Sequence, residues 1–180
     1  MYKKKENIIK IELDFKDISQ LFNPFDPSKL TEKDLNNDVV DFIISYFNEF
    51  NFLKRKTRII IHLPKKNHSK KYYGDTKKAI SHFFEHLVKT EDKKINEKIK
   101  KGKKELLAGL IILFLALIIK GFINLEGSIV LSLLGEGLTI GGWVAMWNPI
   151  NTLFYDWFPM KSKRKLYDRI SLSKIEFKFH

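Results

Sequence analysis

Two long apolar stretches, Leu106–Ile123 and Ser128–Trp147, stand close together in the chain, and Lys120 is the only basic residue in either of them. Each stretch is about the length that an α-helix needs to cross a hydrocarbon core roughly 30 Å thick, at about 1.5 Å per residue. The pattern predicts a transmembrane helical hairpin over residues 105–147, with a short connecting loop near Gly121–Gly127.

Three shorter stretches have the spacing of β-strands. Asn7–Phe15 and Lys174–Phe179 alternate apolar and polar residues, and Arg58–Leu63 is an apolar run that ends at Pro64. Alternation is typical of a strand with one buried face, and a continuous apolar run is typical of one buried on both faces. We expect the three strands to form one small sheet, with the hairpin inserted between the second and the third.

A first helix is predicted between the first two strands. Thr31, with Asp34 three residues later, resembles a capping box and would begin a helix that runs to about Phe50. Its apolar residues cover more than half of its circumference, which is wider than the stripe a helix needs on an isolated sheet. The helix is therefore either enclosed within its own domain or offers a spare face to lipid or to a partner.

A second helix is predicted after the second strand, with Asp75 or Thr76 as its cap. No proline follows until Pro149, so this helix is expected to continue into the first apolar stretch, with a possible break near Gly102. Asn148 and Pro149 fit the cap and first position of a further short helix.

These elements predict an α+β fold, namely a small cytoplasmic three-stranded sheet with two helices, interrupted by a transmembrane helical hairpin. The predicted domains are residues 1–104, a cytoplasmic α+β domain that ends in a basic juxtamembrane helix, and residues 105–147, the hairpin. Residues 148–180 are predicted to hold an interfacial aromatic segment, a basic stretch and the C-terminal strand that returns to the cytoplasmic domain.

The formal net charge is +12, and much of the excess lies beside the apolar stretches. Eight lysines fall within Lys89–Lys104, and five basic residues follow the second stretch: Lys161, Lys163, Arg164, Lys165 and Arg169. Basic flanks are retained in the cytoplasm, so a multi-pass protein of the cell membrane with both termini cytoplasmic is expected. The placement favours the lipid bilayer and its anionic headgroups as partners and makes nucleic acid an unlikely one.

Cysteine is absent, which excludes disulfides and thiol catalysis and fits a reducing compartment. His82, Glu85 and His86 match the H-x-x-E-H spacing of some zinc proteases. On a helical wheel they lie opposite the apolar residues Phe83 and Phe84, so a solvated polar face is the simpler interpretation. No catalytic residue, cofactor or metal is predicted.

Glu136 is the most unusual residue of the apolar stretches. It falls near the middle of the second one, where an ionised carboxylate costs about 2.5–3.5 kcal/mol on insertion scales. It has glycine on both sides, and small residues let helix backbones approach closely. We expect Glu136 to serve in structural packing, by a hydrogen bond within the hairpin or by pairing with Lys120, although ion handling or contact between subunits would also explain it.

Aromatic residues accumulate where the second stretch ends, at Trp143, Trp147, Tyr155 and Trp157, with Asp156 among them. An aromatic belt at the membrane interface explains this composition, and a stacking platform for sugars or bases is the alternative.

The block Gly142–Pro159 (GWVAMWNPINTLFYDWFP) resembles a family of small uncharacterised prokaryotic membrane proteins with two spans. Other landmarks of that family are similar to Leu21–Asn23, Asp26–Ser28, His62–Pro64 and Ile175–Phe177. The resemblance implies the two-span architecture for most of the chain and no particular activity.

The function predicted from the sequence is non-enzymatic: an integral membrane anchor, or a regulatory or structural subunit, with a cytoplasmic interaction domain. A protein partner or a homo-oligomer is expected. The alternative is a component of an oligomeric channel or transporter that uses the intramembrane Glu136.

Overall fold

The computed structural model describes residues 8–49, 56–64, 70–123 and 128–180. Its elements in chain order are β1 (Ile8–Asp14), a 3-10 helix (Ile18–Leu21), α1 (Asn37–Glu49), β2 (Lys56–Leu63), α2 (Lys70–Ile123), α3 (Ile129–Ala145), α4 (Trp147–Asn151), a π-helical turn (Thr152–Asp156), α5 (Phe158–Ser171) and β3 (Lys174–Phe179). The fold is thus mixed, with a small three-stranded sheet and two long apolar helices, as the sequence predicted.

The chain divides into two compact units. The first, here called the sheet unit, contains Met1–Thr90 and Lys163–His180. The second, here called the hairpin unit, is Glu91–Ser162.

The sheet has the order β1-β2-β3, and both strand pairs are parallel. Ile11 of β1 lies opposite Ile59 of β2, which lies opposite Ile175 of β3. Ile59, Ile60 and Ile61 are all buried, so the central strand has both faces covered. This confirms the burial predicted from its continuous apolar run.

β3 is fixed on β2 by polar contacts as well as by the strand ladder. The hydroxyls of Thr57 and Ser173 lie 2.6 Å apart in a buried contact, and Arg58 forms an ion pair of 3.3 Å with Glu176. The hydrogen bond from Lys174, with the charge of Arg58 adding to it, lowers the pKa of Glu176 below its ordinary value.

The core of the sheet unit forms around these strands. Its largest fully buried side chains outside the sheet come from five different segments: Leu21, Leu35, Ile43, Phe47, Ile80, Phe84 and Ile170. Within α1 only Phe42 among the large apolar residues is exposed, at 49%, so most of the wide apolar face of α1 packs within its own unit.

The predicted start of α1 was wrong. Thr31 and Asp34 lie in a loop before the helix, and the amide of Asp34 donates to Asp26 Oδ2 at 2.6 Å. Asn36 stands at the helix start instead, because its carbonyl accepts from Val40 and its side chain accepts from the amide of Asp38.

The predicted cap of the second helix was also wrong. α2 already includes Lys70, so Asp75 and Thr76 lie within it, and the Thr76 hydroxyl donates to the Tyr72 carbonyl. α2 continues to Ile123 without a break at Gly102. The predicted connecting loop falls largely on residues 124–127, outside the described residues.

After α3 the chain remains nearly helical. α4 begins at Trp147 rather than after an Asn148 cap, and Pro149 is its third residue. The basic stretch that follows lies in α5, an element that the sequence analysis had not assigned.

Candidate functional site

The hairpin unit exposes most of its large apolar side chains. Two helical segments, Tyr72–Phe122 and Ile129–Ser171, are long and apolar enough to cross a membrane, as judged by length and composition. Only 11% and 17% of their most apolar windows are buried. Side chains such as Phe114, Phe122 and Leu133 are more than three-fifths exposed, so these helices are not covered as the core helices of a soluble domain would be.

The buried residues of the hairpin unit form a seam between α2 and the returning helices. A Cβ atom added to Gly102 would meet Thr152 Cγ2 at 2.8 Å, and one added to Gly109 would meet Met146 Sδ at 2.9 Å. Further along, a Cβ on Gly142 would lie 3.0 Å from Leu113 Cδ1 and 3.1 Å from its Cα. As residue numbers rise along α2 they fall along the partner, so the helices pack antiparallel.

The residues of this seam are spaced by seven. Gly102, Gly109 and Ala116 follow one another on α2, and Gly135, Gly142 and Pro149 follow on the returning segment, all of them buried. Side chains seven apart lie on the same helix face, and small ones allow close approach of two backbones. The glycines beside Glu136 were recognised from the sequence, whereas Gly102 was taken for a helix break and Gly109 was missed, although this spacing would have indicated both.

Lys120 and Glu136 face each other across the seam. Lys120 Nζ lies 2.7 Å from Glu136 Oε1, and the side chains are 25% and 59% exposed. The stem of Lys120 passes over Gly135, where an added Cβ would lie 3.3 Å from Lys120 Cγ. The absence of a side chain at Gly135 therefore makes room for the lysine to reach the carboxylate.

Further polar contacts link α2 to the segment that follows α3. Lys98 Nζ lies 3.0 Å from Asp156 Oδ2, and the Thr152 hydroxyl donates to the same carboxylate oxygen at 3.4 Å. The Asn148 amide donates to Glu105 Oε2 at 3.1 Å. Asp156 thus acts in a cross-helix contact, a role that sequence reasoning had not assigned to it.

The predicted aromatic residues have two different environments. Trp143, Trp147 and Tyr155 are each about two-thirds exposed. Trp157 is half-buried, and its Nε1 donates to the Leu153 carbonyl at 2.7 Å beside the π-helical turn. Lys161 Nζ lies 5.0 Å from the centre of the Trp157 ring, within the range of a cation–π contact.

Two of the H-x-x-E-H residues have other partners. His82 Nδ1 lies 3.3 Å from the Thr31 carbonyl, and Glu85 accepts from the Ser81 hydroxyl. Within the described ranges, no group of three or more His, Cys, Asp or Glu side chains could hold a metal ion. His82 therefore ties the loop before α1 to α2.

No protein-family model, curated protein or solved structure matched this chain, so the resemblance at Gly142–Pro159 stays a prediction.

Proposed function

We propose that this chain is an integral membrane protein whose hairpin unit crosses the bilayer twice and whose sheet unit lies on the cytoplasmic side. Its function is that of a non-enzymatic anchor, or of a regulatory or structural subunit, and its sheet unit is the part that engages another protein.

The exposed apolar surface of the hairpin unit carries this proposal. Between Glu105 and Asp156 the sequence holds only three charged residues, Lys120, Glu126 and Glu136. In water such a surface would favour aggregation, whereas in a bilayer its burial is favourable. The backbone is compatible as well, because helices satisfy their own hydrogen-bonding groups within the hydrocarbon region.

The distribution of basic residues supports the orientation. The lysine-rich segment before the first apolar stretch and the basic residues from Lys161 onward flank the hairpin on the same side of the membrane if it crosses twice. Each basic residue near an anionic surface contributes about 1 kcal/mol of attraction. Anionic headgroups on the cytoplasmic leaflet are therefore the proposed lipid partners.

Cysteine labelling tests the topology against a clean background, because the chain has no cysteine of its own. Ser128 precedes α3 and Ser162 lies in α5, and both are exposed. In intact cells, a membrane-impermeant maleimide is expected to label Ser128→Cys and to label Ser162→Cys only after permeabilisation. The reverse pattern, or labelling of both in intact cells, would overturn the orientation.

A channel or transporter component is the second candidate, because the Glu136 carboxylate is 59% exposed within the apolar surface. Its pairing with Lys120 favours the structural role, since the pair has no net charge to offer to a passing ion. Ion flux into liposomes that contain the purified chain decides between the two. Selective flux that disappears in Glu136→Gln would refute the anchor interpretation, and equal leakage of both forms would support it.

A further inference from the structure

The loop before α1 is tied down at several points. Phe22 and Leu35 form an isolated antiparallel bridge at its base, and the Asn23 amide donates to the Asp34 carbonyl at 2.9 Å. Inside the loop, Asn23 Oδ1 accepts from the amide of Phe25 at 3.0 Å. These residues, 23–34, are here called the Phe25 loop.

Asp26 fixes the other side of the Phe25 loop. Its two carboxylate oxygens accept from the amides of Ser28, at 2.9 Å, and Asp34, at 2.6 Å. Pro24 and Pro27 flank the tip and restrict its backbone further. The conformation of the tip is therefore set before any partner arrives.

Phe25 projects from this tip and is 91% exposed, more than any other large apolar residue among those described. Its ring contributes little to the core of the sheet unit, so core packing does not explain why the loop is ordered at this position. An aromatic side chain on a preorganised loop is well suited to bind, because little conformational entropy remains to be lost. Aromatic anchors of this kind dominate the energy of many protein interfaces.

The charge of the chain segment that contains the Phe25 loop restricts what Phe25 can bind. Residues 12–49 contain nine Asp or Glu against three Lys, a net charge of −6, while the rest of the chain has 30 basic and 12 acidic residues. Eight of the nine acidic side chains are exposed, and Asp26 is partly buried. An anionic membrane surface would repel this segment. Two copies of the chain, each of net charge +12, repel each other overall.

We propose that Phe25 is the anchor of a docking surface for a different protein, one that offers an apolar pocket with a rim of Lys and Arg. The proposal rests on the proposed function, because it names the surface through which the sheet unit engages its partner. The ring fills the pocket, and the acidic residues of the segment steer and orient the basic rim.

Photo-crosslinking in the native membrane tests this surface in the full chain. A benzophenone amino acid replaces Phe25 in one variant. In the control it replaces Leu172, an exposed apolar residue of the same unit outside the acidic segment. The expected result is an adduct with a second protein from position 25 and none from position 172. The captured protein is then purified and titrated against the full chain in detergent.

In that titration Phe25→Ala is expected to weaken binding about 30-fold, the effect of a typical anchor residue, and Leu172→Ala less than about 2-fold. Binding is also expected to weaken as salt rises, because the rim contacts are ionic. Thermal unfolding should be unchanged in both variants, since neither side chain is buried. The proposal would be overturned by crosslinks from position 25 to lipid or to a second copy, or by the absence of an adduct. It would also be overturned if Phe25→Ala bound the captured protein as tightly as the unmodified chain does. Cysteine labelling tests the membrane topology independently, so failure of the docking proposal can be distinguished from failure of the proposed function.

Discussion

At the scale of single residues, the Asp26 carboxylate shows how one charge orders a loop. Hydrogen bonds from the amide of Asp34, and next from the hydroxyl and the amide of Ser28, lower the pKa of Asp26 from 3.8 to about 2. A lowered pKa in the folded state means that the carboxylate stabilises the loop above its unfolded pKa, and that this contribution is lost as pH falls from about 4 through about 2. We predict a carbon-13 carboxyl titration for Asp26 in micelles with a midpoint near 2.

The role of Asp26 in ordering the loop can also be tested by substitution, without lowering the pH. Asp26→Asn keeps the shape but replaces one charged acceptor by an amide, so the hydrogen bonds to the two backbone amides weaken. Limited proteolysis within residues 23–34 should become faster in this variant and remain unchanged in Asp41→Asn, an exposed carboxylate of α1. Equal cleavage of the two variants would show that Asp26 does not order the loop.

At the scale of elements, the packing of α2 against α3 depends on a missing side chain. An added Cβ at Gly142 would lie 3.1 Å from the Leu113 Cα, a backbone atom that cannot rotate away, whereas nothing lies within 4 Å at Gly141. We predict that Gly142→Leu destabilises the hairpin by about 1–3 kcal/mol through overpacking. Gly141→Leu adds the same apolar side chain and should have little effect. Thermal unfolding of the purified chain in detergent measures both.

A double-mutant cycle separates the energy of the ion pair between α2 and α3 from the effect of removing either charge alone. Glu136→Gln and Lys120→Met each leave one partner without its opposite charge, and each should lower the stability of the inserted hairpin by about 2–3 kcal/mol. The double variant is expected to be more stable than either single variant, because neither charge remains. Strictly additive losses in detergent unfolding would contradict a direct interaction between the two side chains.

Sequence patterns predicted the strands and the two apolar segments well, because burial there follows from the alternation or continuity of apolar residues. The start of α1 was missed, since the capping pattern of Thr31 and Asp34 gives no sign that Asp26 already holds the Asp34 amide. Lys120 and Glu136 were recognised as possible partners. The room that Gly135 leaves for the lysine depends on the register of two helices, which no local pattern specifies.

At the scale of the whole molecule, the sheet is completed by its most distant segment. Arg58 and Glu176, which pair across β2 and β3, are separated by 118 positions, and the entire hairpin unit lies between them. Bringing such distant segments together costs conformational entropy, which the packing of β3 on β2 must offset. Completion of the sheet therefore depends on a strand that follows the whole hairpin unit in the chain, and on the proposed function that unit lies in the membrane.

Ile175 offers a test of how much β3 contributes to the stability of the sheet. Its side chain is buried in β3 opposite Ile59, so Ile175→Ala should lower the stability of the sheet unit by about 2–5 kcal/mol. Leu172→Ala removes the same kind of group from an exposed position and should cost little. Hydrogen exchange of the β2 amides should become faster in Ile175→Ala but not in Leu172→Ala. Labelling of Ser128→Cys and of Ser162→Cys should be the same with either Ile or Ala at position 175. If β2 remained protected in Ile175→Ala, the central strand would be held by β1 and the helices without β3. Pairing of β3 with β2 would then contribute nothing to the stability of the sheet.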